Sequence, residues 1–319
     1  MTVCIAARAT WVDDAGVTQP AVIILADRMI TSRGAIETEF EQFDKTKLMW
    51  LDSTSPQETG AETVAVVVSG DLDDLEVVSQ RAAMEIRKNG ITLISDMAEV
   101  YSEHLQAYRR RRVEREYLER YGLSMSDFID KQESFEQRFF DRIDDGIQSE
   151  ESNVGEVIIG GIDEYGGQLI KVDDYGIHPA NATGFAAIGI GADFAAMEFT
   201  SFSYTSSTHW LSALVVSFFA KKNAERAPGV GPNTDLWWIL PSGHTYRAPG
   251  DKELQALKDI QENRRTTTLQ LIDDGAKALG KLFVEEGHAK QDKGQEEAEE
   301  ASDEQGDIPE GLETDEPKG

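Results

Sequence analysis

The sequence contains few of the residues that mark a disulfide-bonded, metal-binding or membrane protein. Cys4 is its only cysteine, which excludes an internal disulfide and a cysteine-based zinc site. Its five histidines show no metal-ligand spacing such as His-Glu-x-x-His. No apolar run approaches the roughly 20 residues that a membrane-spanning helix needs. We therefore expect a soluble, cytoplasmic protein that requires no metal or organic cofactor.

Basic residues are also scarce, with 31 Lys and Arg against 59 Asp and Glu and a formal charge of -28. An acidic surface argues against a nucleic-acid partner. Much of the acid lies in residues 288–319, where large apolar side chains are almost absent. Such a segment cannot offset the entropy lost on folding. We predict a folded domain over residues 1–287 and a disordered acidic tail over 288–319.

The predicted strands and helices form separate groups along the chain. Apolar runs and turn residues predict strands at 3–9, 21–27, 43–51, 63–69, 154–162, 168–173, 185–189 and 235–240. Helical spacing of apolar residues predicts helices at 71–88, 91–121, 124–148, 193–200, 210–225 and 252–286. This grouping indicates an α+β fold. The charged stretch at about 101–150 is interpreted as a helical insertion between two sheet-forming halves.

Two local motifs have simpler explanations than ligand binding. The arginine run at 109–112 is followed closely by Glu114 and Glu116, which favours a solvated, internally paired helix face over a phosphate site. Gly189-x-Gly191 matches part of a dinucleotide-binding fingerprint. It lacks the third glycine and an early βαβ unit, so a dinucleotide site is not predicted.

The first residues suggest an unusual nucleophile. Thr2 follows Met1 with no signal-like stretch before it, and threonine is small enough for an aminopeptidase to remove Met1. A free N-terminal threonine would combine a hydroxyl nucleophile with an α-amine base, whose reference pKa is about 7.7–8.0. This is the threonine form of an activated nucleophile.

Four further segments follow Thr2 in a recognisable order. Residues 26–31 read ADRMIT, 47–51 read KLMWL, and 66–71 read VVVSGD. Residues 159–163 and 184–191 indicate a strand pair followed by a Gly-rich turn into a helix. Over roughly residues 2–240 the chain resembles the proteasome β-type subunits of the N-terminal-nucleophile hydrolases, including their bacterial homologues. The resemblance implies a four-layer αββα sandwich.

The resemblance also implies roles for particular residues. Thr2 would be the nucleophile, and Asp27 would hold Lys47, whose ammonium would favour the threonine anion. Lys45 would share a strand face with Lys47, but the apolar run begins directly after Lys47, which favours the latter. Gly70 would supply an oxyanion-binding N–H at a helix N-terminus.

Other family positions are less well matched. Thr31 would present backbone groups to a bound peptide, as a substrate-binding residue. Ile190 stands where the family usually has a serine beside the nucleophile. Glu225 is the carboxylate nearest to the place of a family aspartate, and the neighbouring serine of that motif is absent. In the family these auxiliary groups orient the threonine amine.

The function implied by the resemblance is that of a threonine-type peptidase. Its substrate would be a peptide or protein, and the chain would assemble into a homo-oligomeric ring, with an ATPase or adaptor as a further partner. Two alternatives stay open: an amidohydrolase for small amides that has the same fold, and a catalytically silent ring or scaffold subunit. In the last case the insertion and the tail would be docking surfaces.

Overall fold

A computed structural model describes residues 2–13, 15–33, 37–41, 47–51, 63–151, 155–241, 245–247 and 252–277. The chain divides into two compact units, Met1–Leu257 and Lys258–Gly319. The described part of the second unit, 258–277, is helical. The predicted boundary at 287 and the predicted tail over 288–319 lie outside the described residues. Within the described ranges, no helix is both long enough and apolar enough to cross a membrane.

The strands of the first unit form two five-stranded antiparallel sheets and a two-stranded ribbon. The first sheet, in spatial order, contains β10 (Phe185–Ile188), β1 (Cys4–Val12), β2 (Thr18–Asp27), β11 (Thr234–Ile239) and β12 (Thr245–Arg247). The second contains β5 (Leu48–Trp50), β6 (Val64–Gly70), β7 (Gly155–Asp163), β8 (Gly166–Asp173) and β9 (Gly176–Pro179). The ribbon pairs β3 (Met29–Arg33) with β4 (Glu37–Glu41).

Seven α-helices accompany the sheets in the described chain. They are α1 (Leu72–Asn89), α2 (Ile94–Val113), α3 (Met125–Asp130), α4 (Gln137–Glu151), α5 (Ala192–Ser201), α6 (Trp210–Ala224) and α7, over residues 252–277. The mixed α+β class predicted from the grouping of elements is therefore confirmed. The sequence patterns did not predict β3, β4, β9 or β12. Of the predicted strand 43–51, β5 covers only the end, and residues 42–46 lie outside the described chain.

Strands β1 and β2 are buried on both faces, which explains their nearly unbroken apolar sequences. One face, including Val3, Ile5 and Leu25, packs against Phe199 of α5 and Phe218 of α6. The opposite face belongs to a second cluster between the two sheets, made of Cys4, Ala6, Val22, Ile24, Ala65, Val67, Ile158 and Leu169. A third cluster lies between the outer face of the second sheet and helices α1 and α2.

Helix α1 begins directly after β6, and both of its ends are capped. The side chain of Asp71 accepts a hydrogen bond from the backbone N–H of Asp74, which satisfies a donor of the first turn. At the other end Gly90 takes the left-handed conformation, with φ 64°, as is usual for a glycine that ends a helix. The N-terminus of α1 is therefore fixed two residues beyond Gly70.

The predicted insertion has a small core of its own. Val113, Leu118, Phe128, Ile143 and Ile147 form a cluster separate from the sheets. The cluster also takes up Phe139 and Phe140 of α4 and Phe135, which lies between α3 and α4. Upstream of Val113, helix α2 packs on the second sheet through residues such as Tyr101 and Leu105. The separately packed cluster therefore begins near Val113.

The arginine run behaves differently at its two ends. Arg112 pairs with Glu116, one turn further on, at 3.3 Å, as the charge pattern suggested, but it also pairs with Asp74 of α1. Arg109 is buried, donates to the carbonyl of Gly155 at 3.0 Å and forms an ion pair with Asp174. The expectation of a solvated face was wrong for Arg109, because α2 turns this side chain toward the second sheet.

Candidate active site

The pairing of β1 with β2 brings Thr2 next to Asp27. Cys4 lies opposite Ala26 in the register, and the N–H of Asp27 donates to the carbonyl of Val3 at 3.2 Å. Thr2, which lies two residues before β1, and Asp27, the last residue of β2, therefore meet at one end of the first sheet. Both side chains are buried, with 5% of Thr2 and 1% of Asp27 exposed.

Lys47 reaches the same point from the second sheet. Its carbonyl accepts a hydrogen bond from the N–H of Val68, which extends the pairing of β5 with β6 by one residue. The side chain is buried, with 7% of the residue exposed. Lys45 lies outside the described residues, so the comparison between the two lysines stays a prediction.

The three side chains contact one another directly. The Thr2 hydroxyl donates to Asp27 Oδ1 and accepts from Lys47 Nζ. Lys47 Nζ lies 2.7 Å from Asp27 Oδ1. The hydroxyl is thereby held between a cation and an anion, in a site largely closed to water. Three residues that the resemblance selected, from segments up to 45 positions apart, thus form one cluster.

Backbone donors complete the surroundings of Asp27. Its Oδ1 accepts from the N–H of Val3 at 3.0 Å, and its Oδ2 accepts from Gly231 at 2.9 Å and Met29 at 3.3 Å. Each of these groups is a donor, as are Lys47 and the Thr2 hydroxyl. An ionised carboxylate only accepts hydrogen bonds, so the geometry matches the charged form and fixes both of its oxygens.

Gly70 ends β6 beside the N-terminus of α1. It has φ 142°, a conformation that favours glycine, and it lies opposite Gly155 in the register of β6 with β7. A Cβ atom on Gly155 would lie 2.2 Å from the Ser69 carbonyl oxygen and 2.8 Å from Gly70 Cα. The two strands therefore approach closely at this point. The oxyanion role of the Gly70 N–H stays a prediction.

The turn that begins at Gly189 packs against the backbone of Thr2. Gly189 has φ 86°, and a Cβ atom there would lie 2.4 Å from the Thr2 carbonyl oxygen and 2.7 Å from Ser69 Oγ. A Cβ on Gly191 would lie 2.9 Å from that of Ala224. These glycines are required by close packing around Thr2, which accounts for the spacing that resembled part of a dinucleotide fingerprint. Ile190, between them, is 49% exposed.

Glu156 is a carboxylate near this turn that the sequence patterns did not single out. Its Oε2 accepts from the N–H of Gly189 at 3.1 Å, and its Oε1 pairs with Lys171 at 2.7 Å. Glu156 also lies opposite Ser69 in the strand register. It was missed because a single glutamate near the start of a strand has no recognisable motif around it.

The second missed group is the buried ammonium of Lys221, on α6. Lys221 is fully buried, and its Nζ contacts Glu225 and donates to the carbonyl of Gly231 at 2.7 Å. Lys222 pairs with the same oxygen of Glu225 at 2.7 Å and donates to the carbonyl of Pro232 at 3.1 Å. The carboxylate of Glu225 therefore binds lysines of α6, a different setting from the one beside the threonine amine that the resemblance suggested.

Cys4 lies close to the cluster but has the properties of a packed thiol. Burial raises its pKa to about 12, although the nearby Lys47 ammonium acts in the opposite direction. Its Sγ donates to the carbonyl of Val68 at 3.3 Å. Because the thiolate is the reactive form of cysteine, Cys4 is expected to be inert at neutral pH.

Thr31 lies in the ribbon that follows Asp27, opposite Glu39. The described structure there is limited to the backbone, so a role in substrate binding stays a prediction. In the part of the chain that the structure describes, no group of three His, Cys, Asp or Glu side chains is arranged to hold a metal ion. No protein-family model matches this chain, and no curated protein matches it either.

Proposed function

We propose that this chain is an N-terminal-nucleophile hydrolase with the four-layer αββα architecture of that class. The support is the arrangement of the clusters. Cys4, Ile24 and Val67 pack between the two sheets, while α5 and α6 cover the first sheet and α1 and α2 cover the second. The ends of the two sheets converge on Thr2, which lies two residues before β1.

Within this class we propose a threonine-type peptidase that acts in the cytoplasm as a self-assembling, proteasome-like ring. One observation carries the proposal: the buried Thr2 hydroxyl contacts both Lys47 Nζ and Asp27 Oδ1. A structural threonine needs one hydrogen-bond partner and no buried ion pair. A buried ion pair is a weak source of stability. That the Lys47–Asp27 pair contacts the Thr2 hydroxyl therefore favours a chemical role for this hydroxyl.

The proposed reaction begins after removal of Met1. Thr2 Oγ1 attacks the carbonyl carbon of the scissile amide, and its proton passes to the Thr2 α-amine. Lys47 stabilises the developing alkoxide, and the Gly70 N–H donates to the oxygen of the tetrahedral intermediate. As the C–N bond breaks, the leaving amine takes the proton from the α-ammonium. Water then hydrolyses the ester on Thr2, which releases the acid and restores the hydroxyl.

The oxyanion donor and the lysine would supply most of the electrostatic stabilisation. Removing a single oxyanion donor costs about 2.7–4 kcal/mol in enzymes where it has been measured. The Lys47 ammonium acts from a largely dry site, where charge interactions are stronger than in water. The pairing of the strands supports this proposal, because it fixes the backbones of Lys47 and Gly70 before a substrate binds.

The proposal is tested by the mass of the N-terminus and by covalent labelling. Intact-mass measurement is expected to show loss of Met1. A peptide epoxyketone, which can bond to a hydroxyl and a neighbouring amine together, should then add its mass once per chain at Thr2. Thr2→Val is nearly isosteric and should abolish the adduct, as should Thr2→Ala, whereas Thr2→Ser keeps the hydroxyl and should still react.

The outcomes also separate the alternatives. A retained Met1, or an adduct that persists in Thr2→Val, would contradict the threonine mechanism and favour a silent scaffold subunit. Labelling at Thr2 together with hydrolysis of small amides but no cleavage of peptides would replace the peptidase by an amidohydrolase of the same fold. Turnover of a fluorogenic peptide panel distinguishes these two enzymes.

A further inference from the structure

Two hydrogen bonds link the Asp27 carboxylate through Gly231 to a buried cation, the ammonium of Lys221. Asp27 Oδ2 accepts from the N–H of Gly231, and the carbonyl of the same residue accepts from Lys221 Nζ. The N–H and the carbonyl of Gly231 are thereby both fixed, the N–H by the Asp27 carboxylate and the carbonyl by the Lys221 ammonium. Gly231 and Asp27 are 204 positions apart, so this contact depends on where α6 places the segment before β11.

Lys221 has no evident reason to be buried other than these contacts. It lies on a largely apolar helix and none of its surface is exposed, and placing an ammonium in such a position is costly unless it is paired. Its partners are Glu225, one turn along the helix, and the Gly231 carbonyl. Burial lowers the pKa of Lys221 to about 8, against the opposing effects of Glu225 and Asp27.

We propose that Lys221 is a positioning residue for the Thr2–Asp27–Lys47 cluster, acting through the backbone of Gly231. The inference rests on the proposed function for its catalytic consequence. Lys221 fixes Gly231, Gly231 fixes Oδ2 of Asp27, and the orientation of the carboxylate then directs Oδ1 to Lys47 and Thr2. Small misplacements of a reacting group can reduce rates by about a hundredfold, so this support is expected to affect the reaction.

Lys222 provides a matched control on the same helix. It carries the same charge and shares the Glu225 oxygen, but its backbone partner is Pro232 instead of Gly231. Lys221→Met should slow the acylation of Thr2 by about tenfold to a hundredfold. Lys222→Met should stay within about threefold of the wild type, because the backbone partner of Lys222 is Pro232 and not Gly231.

The pH profile separates positioning from a general loss of stability. The α-amine must be unprotonated to act as a base, so acylation rises with pH toward about 8. The charged groups facing Lys221 are Glu225 and Lys222 from α6 and Asp27 from β2. Burial lowers the pKa of Lys221 to about 8. A neutral amine donates a weaker hydrogen bond to the Gly231 carbonyl than an ammonium does, so we expect acylation to fall again on the alkaline side. Lys221→Met should lose that fall. Lys222→Met should keep it but move it to higher pH, because the charge of Lys222 no longer lowers the pKa of Lys221.

Glu225→Gln gives a second variant in case Lys221→Met does not fold. It retains the bond from Lys221 to Gly231 but removes the counter-ion that favours the charged amine. The alkaline fall should therefore move to lower pH. An unchanged profile in both Lys221→Met and Glu225→Gln would overturn the proposal, as would equal rates in Lys221→Met and Lys222→Met.

A double-mutant cycle on unfolding tests the contact chain without any catalysis. Lys221→Met and Asp27→Asn are combined, and their joint effect on the unfolding equilibrium constant is compared with the product of the single effects. Coupled residues should deviate from that product by about fivefold or more, whereas Lys222→Met with Asp27→Asn should not. If the wild type proves inert at Thr2, the proposed function fails and this cycle still decides the contact chain. Independent effects of Lys221 and Asp27 would refute it.

Discussion

Replacing Lys47 with methionine is the sharpest perturbation of the proposed chemistry. The side chain is buried, and its Nζ contacts both the Thr2 hydroxyl and Asp27 Oδ1. Methionine has similar length and bulk but no charge and no donor. The substitution therefore removes the cation while leaving the volume nearly filled, so its effects come mainly from electrostatics.

The expected magnitude follows from the contact geometry. A unit charge about 3 Å from the alkoxide contributes roughly 5 kcal/mol at an effective dielectric constant of 20. At about 1.4 kcal/mol per decade, acylation of Thr2 should fall by about 10³- to 10⁴-fold. For folding, breaking a buried ion pair costs about 3–5 kcal/mol. The lower end is expected here, because Asp27 keeps its backbone donors from Val3 and Gly231.

Two measurements check these values. The first is the second-order rate constant for labelling of Thr2 in Lys47→Met, measured by intact mass. The control is Lys131→Met, which removes the same charge from an exposed ion pair with Asp127. The second is chemical denaturation of Lys47→Met, Asp27→Asn and the double variant. The double variant should lose less stability than the sum of the two single losses, because no unpaired buried charge remains.

Certain results would refute this reasoning. If Lys47→Met labels Thr2 within tenfold of the wild-type rate, the ammonium does not stabilise the alkoxide and another base or cation must act. If the stability losses of Lys47→Met and Asp27→Asn simply add, the two side chains do not interact as the 2.7 Å contact requires. Lys47→Arg should also fail to restore activity, because a planar guanidinium is larger than an ammonium.

Three further predictions concern packing, pH and assembly. Gly189→Ala would place a Cβ 2.4 Å from the Thr2 carbonyl oxygen, so it should abolish labelling of Thr2 and lower the melting temperature. Gly16→Ala is the control, because Gly16 also has a positive φ but no atom within 4 Å of the added Cβ. Equal melting temperatures of the two variants would contradict the close approach at Gly189. Burial raises the pKa of Cys4 from 9.0 to about 12, so the unfolded thiol ionises first above pH 9 and stability falls between pH 9 and 12. Cys4→Ala should show a shallower decline in denaturation midpoint over that range, and parallel curves would argue against the buried neutral thiol. Sedimentation at micromolar concentration should show a closed homo-oligomer, and a single species near 35.3 kDa would refute the ring.

The prediction of a homo-oligomer rests on the resemblance. The aromatic residues around Phe128–Phe140 pack on one another, with Phe128 and Phe140 stacked at 5.1 Å. Much of α6 is likewise buried within the chain, including Phe218 and Ala220. The insertion and α6 are therefore parts of this chain's own core.

Local signals in the sequence were sufficient for the class of fold and for most of its elements. The double-sided burial of β1 and β2 produces unbroken apolar runs, and Asp71 and Gly90 mark the two ends of α1 through their own backbone preferences. Thr2, Asp27 and Lys47 were selected through the resemblance to the proteasome β-type subunits, because their segments follow one another in the order of that family. The strands and helices could be predicted because their signals depend on residues that are neighbours in sequence.

The surroundings of the candidate site were decided by tertiary structure. Gly231 donates to a carboxylate 204 positions away, and no local pattern encodes such a distance. Nothing in the sequence distinguished Lys221 from its neighbour Lys222. In the folded chain Lys221 is fully buried, whereas Lys222 is partly exposed. Side-chain direction on a helix changes by about 100° per residue. Only the packing of α6 on the first sheet determines which of the two lysines supports Asp27.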